Sequence, residues 1–125
     1  MNVPWGYQLI MNLGDCDPLS ISNKENIEKC IKKCIKSTKL KALGNPIYKS
    51  LPPTHRVLEK HIDGISVVQF IETSSITMHF VNSEIAGFID FFSCKKFDPA
   101  IVEKIIIDHF HPSSYSVRFL ERRVP

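Results

Sequence analysis

The stretch from residue 64 to residue 93 constrains the fold more than any other part of the chain. It holds three strand-length apolar segments, residues 64–73, 76–81 and 88–93, separated only by short runs of turn-forming residues. Val67, Val68, Phe70 and Ile71 give the first segment the β-branched and aromatic side chains that suit a pleated surface. Asn82 and Ser83 open the turn before the third. Connections this short join antiparallel neighbours, because a parallel pair needs a crossover of a dozen or more residues.

The flanking sequence supplies two more strands, a weaker one and two helices. Residues 6–13 read as a strand with Tyr7, Leu9, Ile10, Met11 and Leu13 apolar, followed by a turn over residues 14–18. Ser22 and Glu25 have capping-box spacing, and Ile27, Cys30, Ile31, Cys34 and Ile35 then recur at helical spacing. Glu25 and Glu28 early and Lys36 late suit the helix dipole. Residues 41–49 form the weaker strand, the prolines of residues 51–56 make a loop, and residues 57–63 are polar without a clear period. A second helix starts at Asp98-Pro99, with Asp as N-cap and Pro at the first helical position. Ile101, Ile105 and the Phe110 region form its buried side, and His111-Pro112 ends it. In residues 114–121 Tyr115, Val117 and Phe119 alternate with polar neighbours, the pattern of a last strand. The order β-α-β-β-β-β-α-β predicts an α+β fold: a two-layer sandwich, an antiparallel sheet with helices on one face, as a single domain over residues 1–125. The uncovered sheet face also carries apolar residues, which predicts a homodimer.

Composition narrows the function classes. The 125 residues carry a net charge of +3, supplied largely by Lys32, Lys33, Lys36, Lys39 and Lys41 on and just after one helix's polar side. A solvated helix face explains these lysines, and no nucleic-acid partner is expected. No apolar run approaches the roughly 20 residues of a membrane span, so no membrane partner is expected. The start, Met1 to Gly6, lacks a basic region followed by an apolar stretch, which predicts a cytoplasmic protein. Cys16, Cys30, Cys34 and Cys94 form no CxxC pair, so they read as apolar thiols with no metal site.

Few residue sets could carry catalysis. There is no Gly-rich phosphate loop, HExxH or GxSxG. What stands out is the hydroxyl-rich run from Glu72 to His79, with Cys94 downstream. Taken alone it reads as a strand end, a tight hairpin and a strand start. Ser74 and His79 are five apart, so a straight strand places them on opposite faces, and they meet only if the backbone bends near Ser74 or Ser75. Such a bend is also where strain could help a hydroxyl attack the preceding carbonyl. His55, His61, His109 and His111 complete no recognisable constellation.

Nearly the whole chain resembles the small prokaryotic S-adenosylmethionine decarboxylases. The likeness begins at Gly6-Tyr7-Gln8-Leu9 and continues through Cys16-Asp17-Pro18. That family has Glu-Ser-His-Leu-Ser-Ile-His, then Asp-(Val/Ile)-Phe-Thr-Cys, with twenty residues from the first Ser to the Cys. Here Thr73-Ser74-Ser75-Ile76-Thr77-Met78-His79 and Asp90-Phe91-Phe92-Ser93-Cys94 match in register, and Asp98-Pro99 and Leu120-Glu121-Arg122 follow.

The resemblance implies self-cleavage between Thr73 and Ser74. The C-terminal product would begin with a pyruvoyl group made from Ser74, the cofactor that forms a Schiff base with the substrate. His79 would assist processing by proton transfer, and Cys94 would act as proton donor to the substrate carbon. The implied reaction converts S-adenosylmethionine to its decarboxylated form, the aminopropyl donor for spermidine synthesis.

The chain departs from the pattern in places. Thr73 stands where the family has Glu, Glu72 is one residue out of register, and Ser75 replaces His. Glu84 is shifted by one, and Leu51 occupies a position where the family tends to keep Phe. Leu51, Glu72, Ser75 and Glu84 are therefore the expected substrate-binding positions, and residues 54–63 are longer than usual. These departures leave room for a pyruvoyl decarboxylase of arginine or ornithine, and for a non-cleaving homologue that works as a binding protein.

Overall fold

The computed structural model describes residues 3–57 and 59–125. Met1 and Asn2 of the start, and Leu58 of the polar connection, lie outside the described residues. In chain order the elements are β1 (Gly6–Gly14), α1 (Pro18–Ile21), α2 (Lys24–Thr38), β2 (Ile47–Leu51), β3 (Arg56–Val57), β4 (Lys60–His61), β5 (Gly64–Ile71), β6 (Ser74–Val81), β7 (Ala86–Ser93), α3 (Pro99–Phe110) and β8 (Ser114–Arg122).

The apolar segments form the expected meander. β5 pairs antiparallel with β6 and β6 with β7, and β1 then inserts between β7 and β8. The main sheet runs β2-β5-β6-β7-β1-β8, with every neighbouring pair antiparallel. The fold is thus the expected α+β sandwich, a six-stranded antiparallel sheet with helices.

Alternation along the strands decides what is buried. Leu9, Met11, Leu13, Val67, Ile71, Ile76, Met78, Phe80, Ile89 and Phe91 join Ile27, Ile31, Val102, Ile106 and Phe110 of the helices in one core. Phe80 lies 4.7 Å from Phe110, centroid to centroid, which locks the sheet to α3. Gly64 is required where β5 begins. Its φ is +150°, and a Cβ there would lie 2.0 Å from the Phe80 carbonyl oxygen.

Several local expectations are corrected. Asn23, not Ser22, caps α2: its side chain accepts from the Asn26 N–H at 3.1 Å. Ser22 instead closes the short α1, its hydroxyl donating to the Pro18 carbonyl at 2.9 Å. Glu25 pairs forward with Lys29 rather than back to the cap. Ile101 faces out at 46% exposure, and Val102, Ile105, Ile106 and Phe110 form the buried side of α3. The weaker strand forms at Ile47–Leu51, and Ala42 makes only an isolated bridge to Ile71. The polar connection folds into a small hairpin, β3 against β4. The turn before β6 falls at Glu72 and Thr73, so that strand starts at Ser74 and not at Ile76. Among the described residues no helix is long and apolar enough to cross a membrane, and no three His, Cys, Asp or Glu side chains are grouped to hold a metal.

Candidate active site

The hairpin between β5 and β6 builds the candidate site. Ile71 pairs with Ser74, which leaves Glu72 and Thr73 as a two-residue turn. Thr73 takes a left-handed φ of 48°. A β-branched residue there is an outlier and costs on the order of 1–3 kcal/mol. The backbone strain therefore sits on the residue whose carbonyl precedes Ser74.

Ser74 opens β6 on the buried side of the sheet and is only 8% exposed. β7 runs beside β6 and ends at Ser93, which delivers Cys94 to the same spot. The Cys94 N–H donates to Ser74 Oγ at 3.1 Å. Thr73 Oγ1 is hydrogen-bonded to Cys94 Sγ at 2.7 Å and lies 2.7 Å from the Glu72 carbonyl oxygen. Ser74, Thr73 and Cys94, twenty-one residues apart at most, form one cluster. These residues fit a pyruvoyl precursor: a seryl hydroxyl, buried and tethered, follows a residue in the left-handed conformation.

Cys94 is the partly exposed thiol of the chain; Cys16, Cys30 and Cys34 are buried, and none of the four is bridged. Burial, with the Asp15 charge second, pushes the Cys16 thiol up to about 11. A hydrogen bond to Cys34, with burial second, pushes the Cys30 thiol well up.

His79 stands elsewhere. β6 does not bend, so Ser74 lies on the helix side and His79 on the open side. His79 Nδ1 lies 2.8 Å from Ser66 Oγ, directly across the strand pair. One chain therefore does not bring His79 to Ser74. Ser66 was invisible to motif reasoning, yet a turn centred between Glu72 and Thr73 sets its register opposite His79.

The expected substrate-binding positions divide between the two ends of the sheet. Glu72 is at the turn, its carboxylate 3.9 Å from the exposed Lys41 ammonium. Ser75 lies on the open face in register between Phe70 and Phe92. Trp5 stacks on Phe92 with centroids 6.3 Å apart, and the Arg122 guanidinium lies 5.5 Å from that ring's centroid. Leu51, by contrast, pairs with Gly64 at the other end of β5, and Glu84 is in the turn between β6 and β7. Seven residues of strand separate Gly64 from Ile71, about 23 Å at roughly 3.3 Å per residue. Glu84 there joins Lys60, His61, Val81 and Phe88 around a hollow of about 500 Å³.

Comparison with known proteins places the chain. It is similar in fold to the crystal structure of the adenosylmethionine decarboxylase from Aquifex aeolicus VF5, with a TM-score of 0.79 at 18% sequence identity, over 98% of this chain and 94% of that one. No curated protein matches it. Residues 7–123 match the family described as S-adenosylmethionine decarboxylase, a span that takes in the Thr73–Ser74 turn, Cys94 and all the helices, and the chain belongs to that family.

Proposed function

We propose that this protein is a pyruvoyl-dependent S-adenosylmethionine decarboxylase that matures by cutting itself between Thr73 and Ser74. The observation that supports this best is the tethered Ser74 hydroxyl beside the left-handed Thr73. Ser74 Oγ attacks the Thr73 carbonyl carbon, and the peptide bond becomes an ester. Removal of the Ser74 α-proton then expels the Thr73 carboxylate. Water hydrolyses the resulting dehydroalanine, ammonia leaves, and a ketone remains at residue 74. Residues 1–73 and 74–125 become separate chains. A pyruvoyl group at residue 74 would supply the ketone that binds the substrate amine and the electron sink for loss of carbon dioxide.

This chain's own groups have defined tasks in that scheme. The Cys94 N–H orients Ser74 Oγ, and its thiol, held at Thr73 Oγ1, returns a proton to the substrate carbon. His79, whose imidazole can both take and give a proton, moves the processing proton. It lies on the open face, opposite Ser74, and that face is where a homodimer would pack. Phe70 and Phe88 expose 51% and 46% of their surface on that face, as a covered interface requires. Thr73 in place of a carboxylate removes one negative charge beside the reacting centre and leaves Glu72 as the acidic group of the turn.

Intact mass under denaturing conditions tests the cleavage. Two fragments with residue 74 deaminated are expected, and an unbroken 125-residue chain after prolonged incubation contradicts the proposal. Carbon dioxide release from S-adenosylmethionine, arginine and ornithine, measured in parallel, tests the substrate. Turnover of only a basic amino acid overturns that assignment.

A further inference from the structure

We propose that Thr73 is a positioning residue for the Cys94 thiol, so that Cys94 grips the chain on both sides of the Thr73–Ser74 peptide bond. The inference rests on the reading of Cys94 as proton donor. Its main-chain N–H holds Ser74 Oγ at 3.1 Å on one side of the bond. Its sulfur meets Thr73 Oγ1 at 2.7 Å on the other.

The hydroxyl and the thiol bring one proton each, and the Glu72 carbonyl can only accept. Thr73 Oγ1 donates to Cys94 Sγ at 2.7 Å and also lies 2.7 Å from the Glu72 carbonyl oxygen, and the thiol donates to that same oxygen at 3.8 Å. The Thr73 hydroxyl thereby orients the sulfur at the junction. A Glu side chain in place of Thr73 would be longer and charged, so this device belongs to the chain's own departure from its family's pattern. The charged groups around the thiol are Glu72 with Lys41, 3.9 Å apart, and Lys95, whose ammonium donates to the Lys39 carbonyl at 3.5 Å.

The S–H stretching band in the Raman spectrum tests the assignment, because a hydrogen bond made at the sulfur shifts the S–H frequency. All variants are made on Ser74→Ala, which cannot self-cleave, and subtraction of a Cys94→Ser spectrum isolates the Cys94 band. Thr73→Val and Thr73→Gly both remove the hydroxyl, but Gly relaxes the left-handed turn while Val keeps it β-branched. The band should move in both and stay in place in Thr73→Ser. A band unmoved in Val and Gly overturns the proposal. A band that moves equally in Ser also overturns it, because turn geometry and not the hydroxyl would then set it. If Val does not fold, Gly decides. The result does not depend on cleavage, whose failure would appear separately as unbroken wild-type chain.

Discussion

Ser74 and His79 stand on one straight strand and face opposite sides of the sheet. Ser74 lies at the helix layer beside Cys94, whereas His79 Nδ1 lies 2.8 Å from Ser66 Oγ on the open side. The family pattern made the pair look like partners, although their odd spacing already set them on opposite faces of a straight strand. The pleat separates them, and while β6 stays straight this imidazole does not touch that hydroxyl.

Mutation tests whether His79 takes part in processing. His79→Ala should remain uncut, as intact mass under denaturing conditions reports, and cleavage at the wild-type rate would assign the processing proton to another group.

Relief of the turn should stabilise the precursor and slow its maturation. Thr73→Gly on a Ser74→Ala background should gain about 1 kcal/mol, because glycine takes a positive φ without the Cβ penalty. Thermal melting would report this as a rise of a few degrees. With Ser74 intact, the same substitution should lengthen the half-time of self-cleavage.

Truncation of the sheet-to-helix contact should be costly. Phe80 is 2% exposed and packs on Phe110 at 4.7 Å. Phe80→Ala should lose about 3–5 kcal/mol, from lost transfer energy and the cavity left behind. Urea unfolding of uncleaved protein measures it.

Thiol labelling should be selective. Iodoacetamide at neutral pH should modify Cys94 and spare the buried Cys16, Cys30 and Cys34, which peptide mass mapping checks. The fold favours the neutral Cys16 thiol, raised from 9.0 to about 11. Its contribution to stability is therefore fully present below pH 9 and lost as pH rises toward 11, where labelling of Cys16 should begin to accompany unfolding.

Much of this architecture was legible because it follows local rules. The alternation in β5, β6 and β7 set the buried face, and Asp98 caps α3 as read, accepting from the Ala100 N–H at 3.0 Å. Ser74 and Cys94 meet because twenty residues span two eight-residue strands and their turn. The rest depended on tertiary choices. Ser22 and Asn23 both suit a helix start, and only the presence of α1 assigned Ser22 to its end. Ile101 looked buried by type, but its turn of α3 faces solvent. The pair of Ser66 with His79 needed the turn placed at Glu72 and Thr73, two residues before the apolar run resumes. Leu51 and Glu84 were grouped with Ser74 by family position, and strand register puts them at the far end.

The strand order would also govern the fate of the two proposed products. Residues 1–73 contribute β1, β2 and β5, and residues 74–125 contribute β6, β7 and β8. β1 is threaded between β7 and β8, hydrogen-bonded to both. A nick at residue 73 thus leaves interleaved pieces that stay knitted together through native purification, and only denaturation will let them part.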